Sequence, residues 1–77
     1  MSSKLKKRYM TDEGKKKIME KRKLLGYCQK DIARLLDISE TSYNFKETGR
    51  RDWKNNERVK LIKYLHIDKD EEELIFG

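Results

Sequence analysis

Between Gln29 and Gly49 the chain reads QKDIARLLDISETSYNFKETG, and this stretch restricts the fold more than any other. Ile32, Ala33, Leu35 and Leu36 recur at helical spacing, without the period-two alternation that a strand requires. Ser39 is a natural N-cap for a second helix, which ends at Gly49, a residue free to take the left-handed turn that closes many helices. Two short helices, 29–36 and 40–48, joined by about three residues, have the dimensions of a helix-turn-helix. Ala33 is small enough for the second helix to cross close above the first, and apolar Ile38 plugs the space between them.

The flanking segments predict three more helices. TDEGKKKIMEKRKLLG gives a first, with Asp12 and Glu13 near its positive end, Gly26 as its stop, and Ile18, Met19, Arg22 and Leu25 sharing a face. NNERVKLIKYLHI gives a fourth, burying Val59, Ile62 and Leu65. DKDEEELIF gives a short fifth, capped by Asp68, with Leu74, Ile75 and Phe76 docking on the core. The expected fold class is all-α, five short helices in one domain over residues 11–77. MSSKLKKRYM, residues 1–10, reads as a basic flexible arm.

Seventy-seven residues, 44% of them charged and 35% hydrophobic, allow only a small core built from a few well-placed side chains. No apolar stretch is long enough for a signal peptide or a membrane span. The single cysteine, Cys28, excludes an intrachain disulfide framework and a multi-cysteine metal site, and fits a reducing cytoplasm. His66 has no second ligand at metal spacing. There is no Gly-rich phosphate loop and no Cys/His nucleophile pair, so an enzyme is not expected and no cofactor or small-molecule ligand is implied.

Charge is unevenly spread along the chain. Residues 1–30 hold 11 Lys/Arg against 3 Asp/Glu, a net +8, and residues 31–49 hold 2 against 4, a net −2. Residues 50–63 hold 6 against 2, a net +4, and residues 64–77 hold 1 against 5, a net −4. Two basic segments around a mildly acidic one point to a polyanion partner, phosphate backbones first and anionic membrane second, although charge alone fits a solvated, solubilising surface about as well. At about 100° per residue, Glu40, Thr41, Asn44, Phe45 and Thr48 lie within an arc of about 140° on the helix over 40–48. Tyr43 and Glu47 fall on the opposite side, where Lys46 is expected to lay its methylenes on the protein and extend its ammonium into solvent.

In the frame R-x-x-x-G-x-x-Q-x-x-I-A, set by Arg22, Gly26, Gln29 and Ile32-Ala33, and its continuation I-S-x-x-x-Y-x-x-x-E-x-G, set by Ile38-Ser39, Tyr43, Glu47 and Gly49, the chain resembles the Cro and lambda-repressor-like helix-turn-helix regulators of phages and bacteria, also called XRE-like. The resemblance spans Ile18 to Phe76. It implies an ion pair between Arg22 and Glu47 that fixes the first helix against the third. It implies a recognition helix whose Glu40, Thr41 and Phe45 meet base edges in the major groove, with Asn44 close by. Gln29 and Ser39 stand at the positions of the family's usual phosphate ligands, and Arg50, Arg51 and Lys54, just beyond the recognition helix, are further phosphate candidates. Lys4, Lys6, Lys7 and Arg8 of the arm could reach a groove or a flanking phosphate. The chain departs from the family's pattern at Cys28, where a hydroxyl residue is preferred as helix cap, and at Lys46, where an apolar residue is commoner.

These readings converge on a sequence-specific double-stranded DNA-binding transcriptional regulator, a repressor or Cro-like switch of a phage or mobile element acting in the bacterial cytoplasm. As a member of such a family it is expected to bind its operator as a homodimer, with contacts from the fifth helix at Leu74, Ile75 or Phe76. The alternative is a protein–protein module of the same fold, an antitoxin or antirepressor-like partner of another regulator, with Phe45 in its interface. Trp53 is expected to cover the loop and cap the core, Tyr27 to lie at the core or its rim, and Asp70–Glu73 to form a solvated face.

Overall fold

Five α-helices carry the regular structure of residues 9–77, the part of the chain that the computed structural model describes. They are α1 (Asp12–Leu24), α2 (Gln29–Leu36), α3 (Glu40–Glu47), α4 (Asn55–Tyr64) and α5 (Lys69–Phe76). The described residues contain no strand, and none of their helices is long and apolar enough to cross a membrane. Lys4, Lys6, Lys7 and Arg8 lie outside the described residues.

Local polar groups set most of the helix starts. The Thr11 hydroxyl accepts from Gly14 N at 3.0 Å, and the Ser39 hydroxyl accepts from Ser42 N at 3.0 Å. Asp68 accepts from Glu71 N at 2.8 Å while the Glu71 carboxylate accepts from Asp68 N at 3.1 Å, so two otherwise orphaned N–H groups are satisfied reciprocally. At α2 the exchange runs one way. The Asp31 carboxylate accepts from both Cys28 N at 3.0 Å and Cys28 Sγ at 3.2 Å, and the thiol accepts nothing from the helix. Hydrogen bonds from the Cys28 backbone and thiol hold Asp31 below its ordinary carboxylate pKa.

The core gathers Ile18, Ile32, Ala33, Leu36, Tyr43, Leu61, Leu65 and Ile75, closed at its margins by Met10, Trp53 and Ile67. Trp53 sits between two rings, 5.8 Å from Tyr43 and 6.3 Å edge-on from Phe76, and caps the core. The packing corrects several expectations. Val59 is 59% exposed, because the inward face of α4 is Glu57, Leu61 and Leu65 at four-residue spacing. Leu25, expected on the inward face of the first helix, is instead exposed at its C-cap. Tyr9 and Met10, assigned to the arm by sequence, join the fold: Tyr9 N donates to Gly49 O at 3.2 Å and Met10 is buried.

α5 closes the bundle by packing on α1. Two contacts fix it there. Lys21 Nζ of α1 donates to Glu71 Oε1 at 2.8 Å and to His66 O at 2.9 Å, so part of the acidic run expected to be solvated is instead tied to α1. Gly14 supplies the close approach. A Cβ added there would lie 2.7 Å from Leu74 O and 3.3 Å from Ile75 Cα, both backbone atoms.

Two measurements test this docking. Gly14→Ala gains about 1 kcal/mol of helix propensity but must displace the α5 backbone at a cost of about 1–3 kcal/mol, so it lowers stability in urea unfolding. A rise in midpoint would show that α5 yields freely. The Lys21 hydrogen bond, then the Asp68 backbone bond, hold Glu71 below its ordinary pKa of 4.5. A lowered folded pKa stabilises above the unfolded value and loses that stabilisation as pH falls through the folded one. Glu71→Gln therefore lowers the melting temperature at neutral pH, and the difference from wild type closes as pH falls below 4.5 and through the lowered folded pKa. A difference that persists into acid would place the effect outside this ion pair.

Candidate functional site

Glu47, at the last position of α3, is 1% exposed and accepts four hydrogen bonds. Arg22 of α1 donates from Nε to Oε2 at 2.8 Å and from Nη2 to Oε1 at 3.3 Å. Tyr43 OH, one turn back on α3, donates to Oε2 at 2.8 Å, and Gln29 Nε2 of α2 donates to Oε1 at 2.6 Å. A carboxylate offers about four lone-pair sites, so Glu47 is saturated. Arg22 also donates from Nη1 to Tyr27 O at 3.0 Å, at the bend between α1 and α2. Burial disfavours the Arg22 charge, but the hydrogen bond and charge of Glu47 outweigh it and its pKa rises. Burial, then the Glu47 carboxylate, push the Tyr43 phenol well above its ordinary pKa, so it stays a neutral donor.

The same face of α3 holds a second buried ion pair. Lys46 is 6% exposed and Glu57 2%, and Lys46 Nζ donates to both Glu57 oxygens, at 2.6 and 2.7 Å. This overturns the expectation that Lys46 sends its ammonium into solvent: α4 meets it with a carboxylate where the inward stripe of Leu61 and Leu65 extends by one more turn. Glu57 also accepts from Lys54 N at 2.9 Å at the start of α4. Tyr43, Lys46 and Glu47 are thus all spent inward.

The opposite side of α3 is left to solvent. Glu40 and Thr41 are exposed in its first turn, with Asn44 and Phe45 half-buried behind them. Asn44 Nδ2 donates to Gln29 Oε1 at 3.2 Å, which continues the chain of hydrogen bonds from Glu47 outward and leaves Asn44 one amide proton and its carbonyl oxygen. Gln29, a phosphate candidate by sequence, is therefore held inward between Glu47 and Asn44, with one amide proton uncommitted. The Ser39 hydroxyl accepts from the helix and keeps its proton for an outside acceptor. Thr48 turns its hydroxyl back onto Asn44 O at 2.7 Å.

α3 ends in a Schellman turn: Arg50 N donates to Phe45 O at 2.8 Å and Gly49 N to Lys46 O at 3.2 Å, with Gly49 at φ +81°. Arg51 N reaches Phe45 O as well, at 3.2 Å. The side chains follow: the Arg51 guanidinium carbon lies 4.9 Å from the Phe45 ring centroid and that of Arg50 5.6 Å. Arg51 Nη1 also donates to Ser42 Oγ at 3.3 Å. Among the described residues neither arginine has a carboxylate partner. With exposed Lys54 they border a shallow cleft against Ser42 and Lys46.

Sequence reasoning missed Glu57 and the inward turn of Gln29. Hydrophobic periodicity does not register charged or amide side chains, and only the spacing of Glu57 from Leu61 and Leu65 could have signalled its burial. The described residues include no group of three His, Cys, Asp or Glu side chains able to hold a metal ion. Ile75, a candidate for dimer contacts, is 1% exposed and committed to the core, while Leu74 beside it is 36% exposed.

Glu47→Gln retains the shape of the side chain but leaves the buried Arg22 charge unneutralised, and is expected to cost about 3–5 kcal/mol in urea unfolding. A loss under about 1 kcal/mol, the range of an exposed pair, would show that water reaches Arg22 freely.

No family model, curated protein or solved structure matches this chain, so its functional reading rests on the geometry of α2, α3 and the turn after them.

Proposed function

We propose that this protein is a sequence-specific double-stranded DNA-binding transcriptional regulator, with α2 and α3 as a lambda-repressor-like helix-turn-helix and α3 as its reading helix. The observation that carries the proposal is the division of α3. Its inward side is wholly committed to buried partners, while Glu40, Thr41, Asn44 and Phe45 face outward beside two arginines that lack carboxylate partners among the described residues. A short helix held rigidly on one side and carrying a row of small polar donors and acceptors on the other suits insertion into a major groove.

The chemistry of each group follows from what it has left to offer. Asn44 keeps one N–H and one carbonyl oxygen, the pair that bidentate recognition of adenine N6 and N7 uses. Glu40 can accept from cytosine N4, and the Thr41 methyl can pack on a thymine methyl. Arg50, Arg51 and Lys54 supply charge to phosphates, and the Ser39 hydroxyl, the uncommitted Gln29 proton and the α2 N-terminus add neutral donors. The reading helix need not be basic, because affinity comes from phosphates and discrimination from base edges. Binding over a promoter would exclude polymerase. A two-fold dimer would read half-sites about one helical turn apart, with exposed Leu74 and the rim of Phe76 as the contacts of α5.

Selection of sites from random duplexes, followed by anisotropy titrations across salt, tests this reading. Binding should weaken with log K falling by about 0.9 per log unit of salt for each phosphate neutralised. Thr41→Ala should change preference at one base pair by about 1–3 kcal/mol, whereas Arg50→Ala should weaken all duplexes alike and reduce the salt slope by about 1. A protein that retards no duplex at low salt is not a DNA reader, and its α3 face would then belong to a protein interface.

A further inference from the structure

We propose that Phe45 is a positioning residue, which holds the Arg50 and Arg51 guanidinium groups side by side as a two-arginine clamp for one phosphate of the bound duplex, instead of reading a base itself. The inference rests on the DNA-binding reading and assigns Phe45 a different task within it. Three observations converge on this residue. Its carbonyl oxygen accepts both arginine amides, at 2.8 and 3.2 Å. Its ring lies within 5.6 Å of both guanidinium carbons. A Schellman turn usually brings an apolar residue after the helix onto the side chain five residues earlier, and here that place is taken by Arg50.

The physical consequence lies in what the ring leaves free. A guanidinium over an aromatic ring spends a face on the π-system and keeps its N–H donors at its edge. Two guanidinium groups collected at one ring repel each other, and no carboxylate among the described residues neutralises either. An oxyanion bridging their edges relieves that repulsion and accepts charge-assisted hydrogen bonds from both. The bond from Arg51 Nη1 to Ser42 Oγ, at 3.3 Å, holds one of them back against α3. A half-buried phenylalanine with both ends of its neighbours tied to it has little freedom left to follow a thymine methyl.

The test compares Phe45→Leu, which keeps apolar bulk but loses the flat π-face, with Phe45→Trp, which keeps the face. In the free proteins, NMR should show ring-current upfield shifts of the Arg50 and Arg51 side-chain protons in wild type and Phe45→Trp, and their loss in Phe45→Leu. In titrations on the selected duplex and on point-substituted duplexes, Phe45→Leu should bind all of them about three- to tenfold more weakly. Its salt slope should be shallower by about 1, because one phosphate fewer is neutralised. Ratios between duplexes should hold, and Phe45→Trp should restore affinity and slope. Altered preference at one or two base pairs with an unchanged slope would make Phe45 a base reader and overturn the proposal. So would wild-type arginine protons without ring-current shifts, whatever the DNA results. Wild type that binds no duplex sinks the DNA reading and the clamp together, a pattern distinct from either failure of the clamp alone.

Discussion

A carboxylate taken almost wholly out of water must be neutralised where it stands, and the Glu47 side chain meets that demand with donors from three helices. Arg22 comes from α1, Gln29 from α2 and Tyr43 from α3, so the relative placement of the three is fixed by one pair of oxygen atoms. Apolar packing alone would tolerate small slides of one helix over another. Hydrogen bonds weaken steeply with misalignment, and four of them at one group leave a single arrangement. The net gain in stability from such a buried network is small, because desolvation offsets most of the attraction, but its loss is costly.

The network continues past the core. From Glu47 it passes through the Gln29 amide to Asn44, which stands on the outer side of α3. The orientation of a side chain offered to a partner is therefore set, through Gln29, by a buried carboxylate three residues further along the same helix. Lys46 and Glu57 act at the same level for the other edge of α3, binding it to α4. Helix α3 is only eight residues long, too short to be stable by propensity. Its rigidity is borrowed from these two pairs, its Ser39 cap and the turn at Gly49.

The division of the chain into helices is legible in the sequence because its punctuation is local. Ser39, Gly49 and Asp68 act on backbone atoms within a few residues, and the inward set of α2 is apolar enough for periodicity to find it. The burial of Tyr43 opposite Thr41 follows from helical angle alone. What stays hidden has one physical cause: tertiary partners decide the fate of polar side chains. Within α4 only the four-residue spacing of Glu57 from Leu61 hints that it is buried ahead of Val59, and the ammonium of Lys46 decides it. Gln29 lies at a helix start that could face outward, and its inward turn depends on a carboxylate 18 residues away. Met10 reads as part of the arm because only the fold brings it beside Gly49. The stacking of Arg50 and Arg51 on Phe45 is nearer to legible, since a glycine stop followed at once by arginines places them over the last turn.

The pairing of charge across the molecule bears on what the α3 face can bind. Lys21 meets Glu71, Arg22 meets Glu47 and Lys46 meets Glu57, so the cations nearest the core are neutralised within the fold. Arg58, more exposed, still leans on Asp52 at 3.4 Å. Arg50 and Arg51 have no carboxylate partner among the described residues although Asp52 follows them directly in sequence. Asp52 is drawn away instead, accepting from Trp53 N at 2.8 Å and from Arg58. Two unneutralised guanidinium groups on one ring cost electrostatic energy in the free protein, and the carboxylate next to them in sequence is not turned to relieve it. That the carboxylate points elsewhere supports an external anion as their partner, at the end of the helix whose outer face offers donors and acceptors in a row.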